Sequence, residues 1–258
     1  MSIRVGTRTY FGGQKDPEFD GFEKIISLTK STEYGSLGPY ALKVPAQLFG
    51  YPRGSAIFEN FWQAAKLYPY VPAHTDIYGG RYNPQVTWSH PEEMHYFDIN
   101  KGEFDPVHIR PEYWAWKHKL LFNVLPVRYP VPREWRPQCM GSLVMGPEGK
   151  LILLDYIEAR KQIYLEYYRK LVKIELQFKT LLSKLRSGKN LLIIEVDGPH
   201  QESLGYYKHT YGVGDDFIIN NTMLATPDNL NLMLNDPKHA FGHGYALAMC
   251  LNEELSKD

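Results

Sequence analysis

The hydrophobic and polar positions along the chain predict a few regular elements separated by irregular segments. Two apolar, β-branched runs, 23–29 and 190–196, are typical of strands, and the second is apolar enough to be buried on both faces. Helical periodicity marks 55–68 and 155–186, the latter as one long helix or as two helices that break near the middle. The segment 240–255 is apolar nearly all round, which predicts a buried helix.

These elements favour one fold class. Helical segments dominate, no linker separates two independent halves, and 258 residues are enough to bury a sizeable core. We therefore expect an α+β fold, with a single helix-rich domain over 1–258 that contains a small sheet and irregular insertions.

Composition excludes several classes of protein. No apolar run reaches the roughly 18 residues that a membrane span needs, and the first residues lack the apolar core of a signal peptide, so a cytoplasmic protein is expected. Cys139 and Cys250 are too few for a disulfide framework or, alone, for a zinc site. Lys plus Arg equals Asp plus Glu at 29 each, so the formal net charge is zero and gives no overall electrostatic attraction for nucleic acid. Aromatic residues make up 14% of the chain, which suits a tyrosine-rich core or the stacking of bases.

The helix predicted at 55–68 carries a set of chemically useful side chains. Ser55 is a suitable N-cap, and a proline at position 69 closes the pattern. Glu59, Gln63 and Lys66 follow at i, i+4 and i+7 and share one helix face, which Trp62 flanks. A carboxylate, an amide, an ammonium and an indole on one rigid element can hold a sugar and a base. The alternative is an ordinary solvated face with the spacing of helix salt bridges.

Four segments resemble, in order, the signature of the NADAR (YbiA-like) family. The family helix carries Glu-x-aromatic-aromatic-Gln-Ala-x-Lys, which is ENFWQAAK over 59–66 here and matches at every functional position. Upstream, ISLTKSTEYGSLGPYALKV (26–44) is similar to the opening strand and its Tyr-Gly loop. Downstream, 178–203 is similar to a helix, a strand and an acidic turn, and 242–255 to a closing helix that begins with a Gly-aromatic step. The stretches 26–66 and 178–255, within which the four segments lie, make up about half of the chain.

The resemblance implies a NADAR-like domain in which residues 69–154 and 203–238, approximately, are insertions relative to compact members. It also implies an N-glycosidase, because relatives act on ribosylated nitrogen compounds. Some relatives remove ADP-ribose from guanine bases of nucleic acid and serve as antitoxins against ADP-ribosyltransferase toxins. The family's Trp-Gly-Asp-Gly turn is not literal in this sequence, where DGPH (197–200) occupies its approximate place.

The implied chemistry suits the residues that match. An oxocarbenium-like state at C1 of a ribose needs a nearby carboxylate that stabilises positive charge or activates water, and Glu59 is the first candidate. Lys66 can attack C1 and form a Schiff base if burial or a neighbouring cation keeps the amine unprotonated, or it can pair with a phosphate. Asp197 follows the strand at 190–196 and can orient a ribose hydroxyl or a water, or serve only the geometry of an Asp-Gly-Pro turn. The catalytic candidates are Glu59, Lys66 and Asp197.

Further residues are expected to contact the ligand. Gly242 and Gly244 begin the last helix, where free N–H groups and the helix dipole favour phosphate, and close packing of a buried helix start is the alternative. His243 is expected to be a hydrogen-bonding group near the ligand or a core histidine. Its i,i+4 spacing to His239 lacks a full ligand set, so no metal and no cofactor is expected. The ligand-binding candidates are Tyr34, Gly35, Trp62, Gln63, His200, Gly242, His243, Gly244 and Tyr245.

The segment between His108 and Arg136 has a local excess of basic residues. It contains six Lys or Arg against two Glu, interleaved with Tyr and Trp. Basic residues that alternate with aromatics suit a groove that follows phosphates and stacks unpaired bases, and a solvated loop anchored by its aromatics is the alternative. The candidates for nucleic-acid binding are Trp114, Trp116, Arg128 and Arg133.

The predicted function is removal of ADP-ribose from guanine bases of nucleic acid, with DNA as the expected form. ADP-ribosylated nucleic acid is then the substrate, ADP-ribose the product, and an ADP-ribosyltransferase toxin the functional counterpart. One alternative is an N-glycosidase of small phosphorylated ribosyl metabolites, such as intermediates of riboflavin synthesis. Another is a module that binds ADP-ribose without cleaving it, although such a reader could dispense with both Glu59 and Lys66.

Overall fold

The computed structural model describes residues 1–49, 53–69, 97–98, 103–104, 109–131, 133–146 and 149–257. Its contacts divide the chain into two compact units: unit 1, formed by Met1–Leu42 and Leu165–Asp258, and unit 2, formed by Lys43–Tyr164. None of the helices within the described residues combines the length and the hydropathy that a membrane span requires. The single domain expected over the whole chain stays a prediction, and much of the expected insertion at 69–154 lies outside the described residues.

Both helices and strands are present, which confirms a mixed helix-and-sheet fold. The strands are β1 Ile3–Thr7, β2 Phe22–Ile26, β3 Lys43–Pro45, β4 Ser55–Ile57, β5 Lys66–Leu67, β6 Phe97–Asp98, β7 Glu103–Phe104, β8 Gly141–Met145, β9 Leu151–Leu154, β10 Asn190–Glu195 and β11 Thr222–Leu224. The helices are α1 Phe58–Ala65, α2 Pro111–Leu121, α3 Tyr156–Ala159, α4 Glu166–Val172, α5 Leu176–Arg186, α6 Leu204–Tyr211, α7 Pro227–Asn235 and α8 His243–Leu255.

Unit 1 is built on a four-stranded sheet of order β11-β1-β10-β2. The three strands β1, β10 and β2 are parallel, and β11 pairs antiparallel with β1 at the edge. Val5, Ile193 and Ile25 lie side by side in register and are fully buried. The strand predicted at 190–196 is therefore confirmed as β10, and its apolar run reflects parallel neighbours on both sides. Because the strands are parallel, the residues that follow β1, β10 and β2 meet at one edge of the sheet.

Helices of unit 1 pack on α8 and on the sheet. The helix α8 contacts β1 and β10 on one side and α4, α5 and α7 on others, which explains why its sequence is apolar nearly all round. The region predicted as one or two helices at 155–186 is two helices: α3, a π-helical stretch at Arg160–Leu165 and α4 are continuous, and a break at 173–175 separates them from α5. Ile174 lies in the break between α4 and α5 and is 71% exposed.

Unit 2 contains the helix that carries the candidate chemistry. The helix α1 is shorter than predicted at both ends, because Ser55 belongs to β4 and Lys66 to β5. Pairing of β4 with β3, and of β5 with β8, occupies backbone groups that the helical pattern alone would assign to α1. Ser55 is consequently not the N-cap; Ile57 takes that position with an extended backbone. The apolar core of unit 2 is formed by α1, α2, β5 and β8 and includes Leu67, Tyr113, Trp116, Leu120, Val127 and Val131.

Candidate active site

Glu59, Gln63 and Lys66 form one hydrogen-bonded chain at α1. The side-chain nitrogen of Gln63 donates to Oε1 of Glu59 at 2.9 Å, and Nζ of Lys66 donates to Oε1 of Gln63 at 2.8 Å. An ammonium only donates and an ionised carboxylate only accepts, so the two partners fix the orientation of the Gln63 amide. The structure thus brings together the three residues that the spacing placed on one face, although Lys66 is the C-cap of α1 and has an extended backbone.

The surroundings of this chain are mostly enclosed. Glu59 and Gln63 are each 6% exposed, whereas Lys66 is half-buried. Glu59 lies in the first turn of α1, where the helix dipole favours a negative charge. Trp62 is 9% exposed, makes an edge contact with Tyr164 at a centroid distance of 5.2 Å, and has Nζ of Lys66 5.4 Å from its own ring centroid. The indole is therefore already engaged by protein groups, and only its exposed margin is open to a ligand.

Such an arrangement can support chemistry at a sugar carbon. A carboxylate held by an amide is pre-organised to stabilise positive charge or to direct a water, because its orientation does not have to be created during the reaction. An amine seven residues away, joined through the same amide, can act as a nucleophile or neutralise a phosphate. Gln63 is hydrogen-bonded to both groups and so links them.

In unit 1, a buried carboxylate that the sequence did not single out organises the end of β10. Oε1 of Glu195 accepts the N–H groups of Val196 at 2.6 Å and Asp197 at 3.2 Å, and Glu195 is 1% exposed. The turn that follows is tightly packed: a Cβ on Gly198, whose φ is +155°, would lie 2.4 Å from the Tyr245 hydroxyl. Asp197, half-buried, is thus held in a fixed backbone conformation. The only sequence signal for Glu195 is an acidic residue inside an otherwise apolar strand.

The other oxygen of Glu195 occupies the start of α8. Oε2 accepts the Gly244 N–H at 2.6 Å and lies 3.0 Å from Nδ1 of His243. A Cβ on Gly242 would be 2.4 Å from the Glu195 carboxyl carbon, so glycine is required there to admit the carboxylate. The anion at this helix start is a side chain of the protein itself, which corrects the expectation that Gly242 and Gly244 bind a phosphate there. Close packing of a buried helix start is the alternative that the geometry supports.

Burial by itself would raise the pKa of Glu195. The charge and hydrogen bond of His243, together with the N–H groups of Gly244 and Val196, outweigh this effect and lower the pKa of Glu195 to about 2. Nε2 of His243 is in turn 2.9 Å from the Ser27 hydroxyl. Although serine, histidine and carboxylate follow in the order of a catalytic triad, Ser27 is completely buried, so the three form a closed network in the core. His243 is thereby a core histidine, and Tyr245 is likewise only 1% exposed.

Three further candidates of unit 1 lie on its loops. Tyr34 is 3% exposed, and its hydroxyl accepts a hydrogen bond from Nζ of Lys184 at 3.0 Å. A Cβ on Gly35 would lie 2.2 Å from the carbonyl oxygen of Thr29, so this glycine serves the packing of the loop. His200 is half-buried and precedes the 3₁₀ turn at Gln201–Ser203. Tyr34 and Gly35 therefore support the fold of unit 1, and the geometry adds no ligand role for them.

Comparisons with known proteins return no relative. No family model, curated protein or solved structure matches this chain. Across the described ranges, no group of three or more His, Cys, Asp or Glu side chains is placed to hold a metal ion. His239 lies before the start of α8, so the two histidines are not one turn apart on a helix. Nδ1 of His239 instead lies 2.8 Å from Oδ2 of Asp236. The roles of the candidate residues rest on their geometry and on the family resemblance.

The basic and aromatic residues between His108 and Arg136 divide into core and surface. Trp116 is completely buried and packs against Tyr113, so it is not available to stack a base, which corrects that assignment. Trp114 is 37% exposed, because it points away from the core on the opposite side of α2. Arg133 is exposed, and Arg128 is half-buried with its guanidinium 5.2 Å from the Tyr129 ring centroid. Trp114, Arg128 and Arg133 stay predictions as nucleic-acid contacts.

Proposed function

We propose that the protein is a NADAR-type N-glycosidase that removes ADP-ribose from guanine bases of nucleic acid, with DNA as the preferred form. In this role it reverses the action of an ADP-ribosyltransferase toxin. The observation that carries the proposal is the chain of hydrogen bonds from Lys66 through Gln63 to the buried carboxylate of Glu59. These residues match the functional positions of the family signature, and hydrogen bonds join their side chains.

The reaction breaks the bond between C1 of the ribose and a guanine nitrogen. Glu59 supports the positive charge that develops at C1, and the guanine leaves with the bonding electron pair and takes up a proton. When water attacks C1, Glu59 accepts its proton and the product is ADP-ribose. When Lys66 attacks instead, its nitrogen bonds to C1 and loses a proton, the ring opens to a Schiff base, and water later releases ADP-ribose and restores the amine.

The decisive experiment uses an oligonucleotide that carries one ADP-ribosylated guanine. Wild type, Glu59→Gln and Lys66→Met are incubated with it, and both products are followed by mass spectrometry. We expect wild type to release ADP-ribose and unmodified oligonucleotide, and Glu59→Gln to release neither at a rate above roughly one hundredth of wild type. A fully active Glu59→Gln would remove the carboxylate from the mechanism. Borohydride added during turnover would reduce a Schiff base and leave a covalent adduct on Lys66, which separates the nucleophile from a phosphate ligand.

A second candidate is an N-glycosidase of small phosphorylated ribosyl metabolites. The burial of Trp116 favours it, because the exposed aromatic surface that a nucleic acid could stack on is smaller than the sequence suggested. Turnover of such a metabolite, with no binding to the modified oligonucleotide, would support this candidate. Tight binding of the modified oligonucleotide without release of ADP-ribose would instead indicate a reader.

A further inference from the structure

One buried amine of unit 2 has no part in the chemistry above. Lys117 lies on α2 and is 8% exposed, among the core residues Trp116 and Leu120. Removing a charged group from water costs several kcal/mol unless it finds good partners, so a lysine inside an apolar core calls for an explanation. Its Nζ donates to the main-chain oxygen of Lys66 at 2.8 Å. The buried amine therefore ends at the backbone of a candidate catalytic residue.

A second side chain of α2 reaches the same segment. Tyr113 precedes Lys117 by one helical turn, and its hydroxyl donates to the Lys66 main-chain oxygen at 3.3 Å and accepts the Tyr68 N–H at 2.8 Å. On the other side, the Lys66 N–H donates to the main-chain oxygen of Gln63 and so ends α1. Both backbone groups of Lys66 are therefore held, which fixes the direction in which its side chain leaves the main chain.

We propose that Lys117 is a positioning residue for Lys66: with Tyr113, it holds the Lys66 carbonyl and thereby aims the Lys66 amine at Gln63 and at the sugar carbon that reacts. The inference rests on the proposed function and deepens it, because it makes α2 a part of the active site.

The energetics agree with this role. Burial lowers the pKa of Lys117 to about 7, so near neutral pH a substantial fraction of the amine is uncharged and its burial is less costly. We call the pair of contacts from Lys117 and Tyr113 to the Lys66 carbonyl the clamp. An uncharged amine still donates an N–H to a carbonyl, so the clamp does not depend on the charge of Lys117. A methionine of similar length would fill the same space with no polar atom to bury, yet it could not hold the Lys66 carbonyl.

The test compares Lys117→Met, Lys117→Gln and Tyr113→Phe with Lys119→Met, which removes an exposed lysine from the same helix. The substrate is a single ADP-ribosylated guanosine, so that no extended nucleic-acid surface contributes. We expect Lys117→Met to lower kcat by roughly 10- to 100-fold with KM within about twofold, since misplacement of a reacting group by 1 Å can have an effect of this size. Lys117→Gln, which retains an N–H donor, should recover part of the loss, and Lys119→Met should match wild type.

A measurement of stability distinguishes loss of positioning from loss of folding. Melting temperature should not fall in Lys117→Met, because replacing a buried amine with an apolar side chain is often neutral or stabilising. If that variant does not fold, Tyr113→Phe, which loses one oxygen only, carries the test. Unchanged kcat in the folded clamp variants would overturn the proposal.

A failure of the proposed function is distinguishable from a failure of the clamp. If wild type turns over none of the substrates, the reactivity of the Lys66 amine is measured by competitive acetylation with acetic anhydride and mass spectrometry. A clamp predicts that Lys117→Met changes the acetylation rate of Lys66 at least fivefold and that Lys119→Met does not. Equal rates at Lys66 in all variants would refute the clamp even when no activity is found.

Discussion

Replacing Glu195 with Gln isolates the energetic role of the buried carboxylate in unit 1. The glutamine oxygen can still accept the N–H groups of Val196 and Asp197, but its NH₂ group then faces the Gly244 N–H and the His243 ring. A donor facing a donor leaves a buried N–H without a partner, which costs about 1–3 kcal/mol. Loss of the interaction with His243 brings the expected decrease in the free energy of unfolding at pH 7 to about 3–5 kcal/mol.

The pH dependence of stability provides a sharper signature than the loss itself. In the folded protein the pKa of Glu195 is about 2, against an ordinary value of 4.5. At about 1.4 kcal/mol for each pKa unit, this lowering is equivalent to roughly 3 kcal/mol. Because the folded pKa is depressed, the contribution is complete above about pH 5 and is lost as the pH falls toward 2. Wild type and Glu195→Gln should therefore converge in stability between pH 5 and pH 2.5.

The assay is urea-induced unfolding followed by circular dichroism at several pH values from 7 to 2.5. All five tryptophans belong to unit 2, so tryptophan fluorescence reports on that unit and circular dichroism on both. Glu254→Gln is a matched control at the other end of α8. The pKa of Glu254 is also lowered to about 2, by hydrogen bonds to Lys257 and Lys173, but its side chain keeps contact with solvent. Its contribution should therefore be less than about 1 kcal/mol.

One result would refute this reasoning. If the stability difference between wild type and Glu195→Gln were the same at pH 5 and at pH 2.5, the carboxylate would titrate alike in the folded and unfolded chains. Comparing the two proteins with each other cancels the contributions of every other carboxylate. Faster hydrogen exchange of the Gly244 amide in Glu195→Gln would connect the loss to the helix start rather than to a distant rearrangement.

Two further predictions concern unit 2. Asn60 is completely buried and makes three hydrogen bonds to the main chain of 123–127. Asn60→Ala should therefore lower the free energy of unfolding by about 2–4 kcal/mol, measured by urea titration with tryptophan fluorescence. An unchanged urea midpoint would contradict this prediction. The double variant Arg128→Ala/Arg133→Ala should weaken binding to ADP-ribosylated DNA roughly tenfold or more, measured by fluorescence anisotropy. Its affinity for free ADP-ribose should stay within about twofold of wild type, because only the polymer offers additional phosphates. Equal losses for the two ligands would argue against a nucleic-acid surface there.

The sequence predicted best the elements that are enclosed by neighbours on all sides, because their hydrophobic pattern shows that burial directly. The strand β10 has parallel neighbours on both sides, and α8 is surrounded by sheet and helices, so both are continuous apolar runs. The ends of α1 were wrong because β4 and β5 are defined by partners distant in sequence, β3 and β8. Similarly, β11 is a strand because it pairs with β1, a cause that no local pattern expresses.

The candidate site divides in the same way. The spacing of Glu59, Gln63 and Lys66 predicted their proximity because one helix determines it. The orientation of Trp116 was also available from spacing, since Tyr113, Trp116 and Leu120 lie at i, i+3 and i+7 and form the apolar stripe of α2. The role that we propose for Lys117 could not be predicted from spacing, because its partner is a main-chain oxygen brought near by the fold of unit 2.

The order of strands in unit 1 also determines when that unit can form during synthesis. β1 lies between β10 and β11, and β2 pairs only with β10 within this sheet, so neither N-terminal strand has a partner before residue 195 has left the ribosome. At about 5–20 residues per second, β1 waits roughly 10–40 s for β10. The residues of unit 2 are all synthesised in that interval. A nascent chain that stops before β10 therefore exposes two unpaired strands that carry apolar residues such as Val5 and Ile25, and its survival depends on protection of those strands from aggregation.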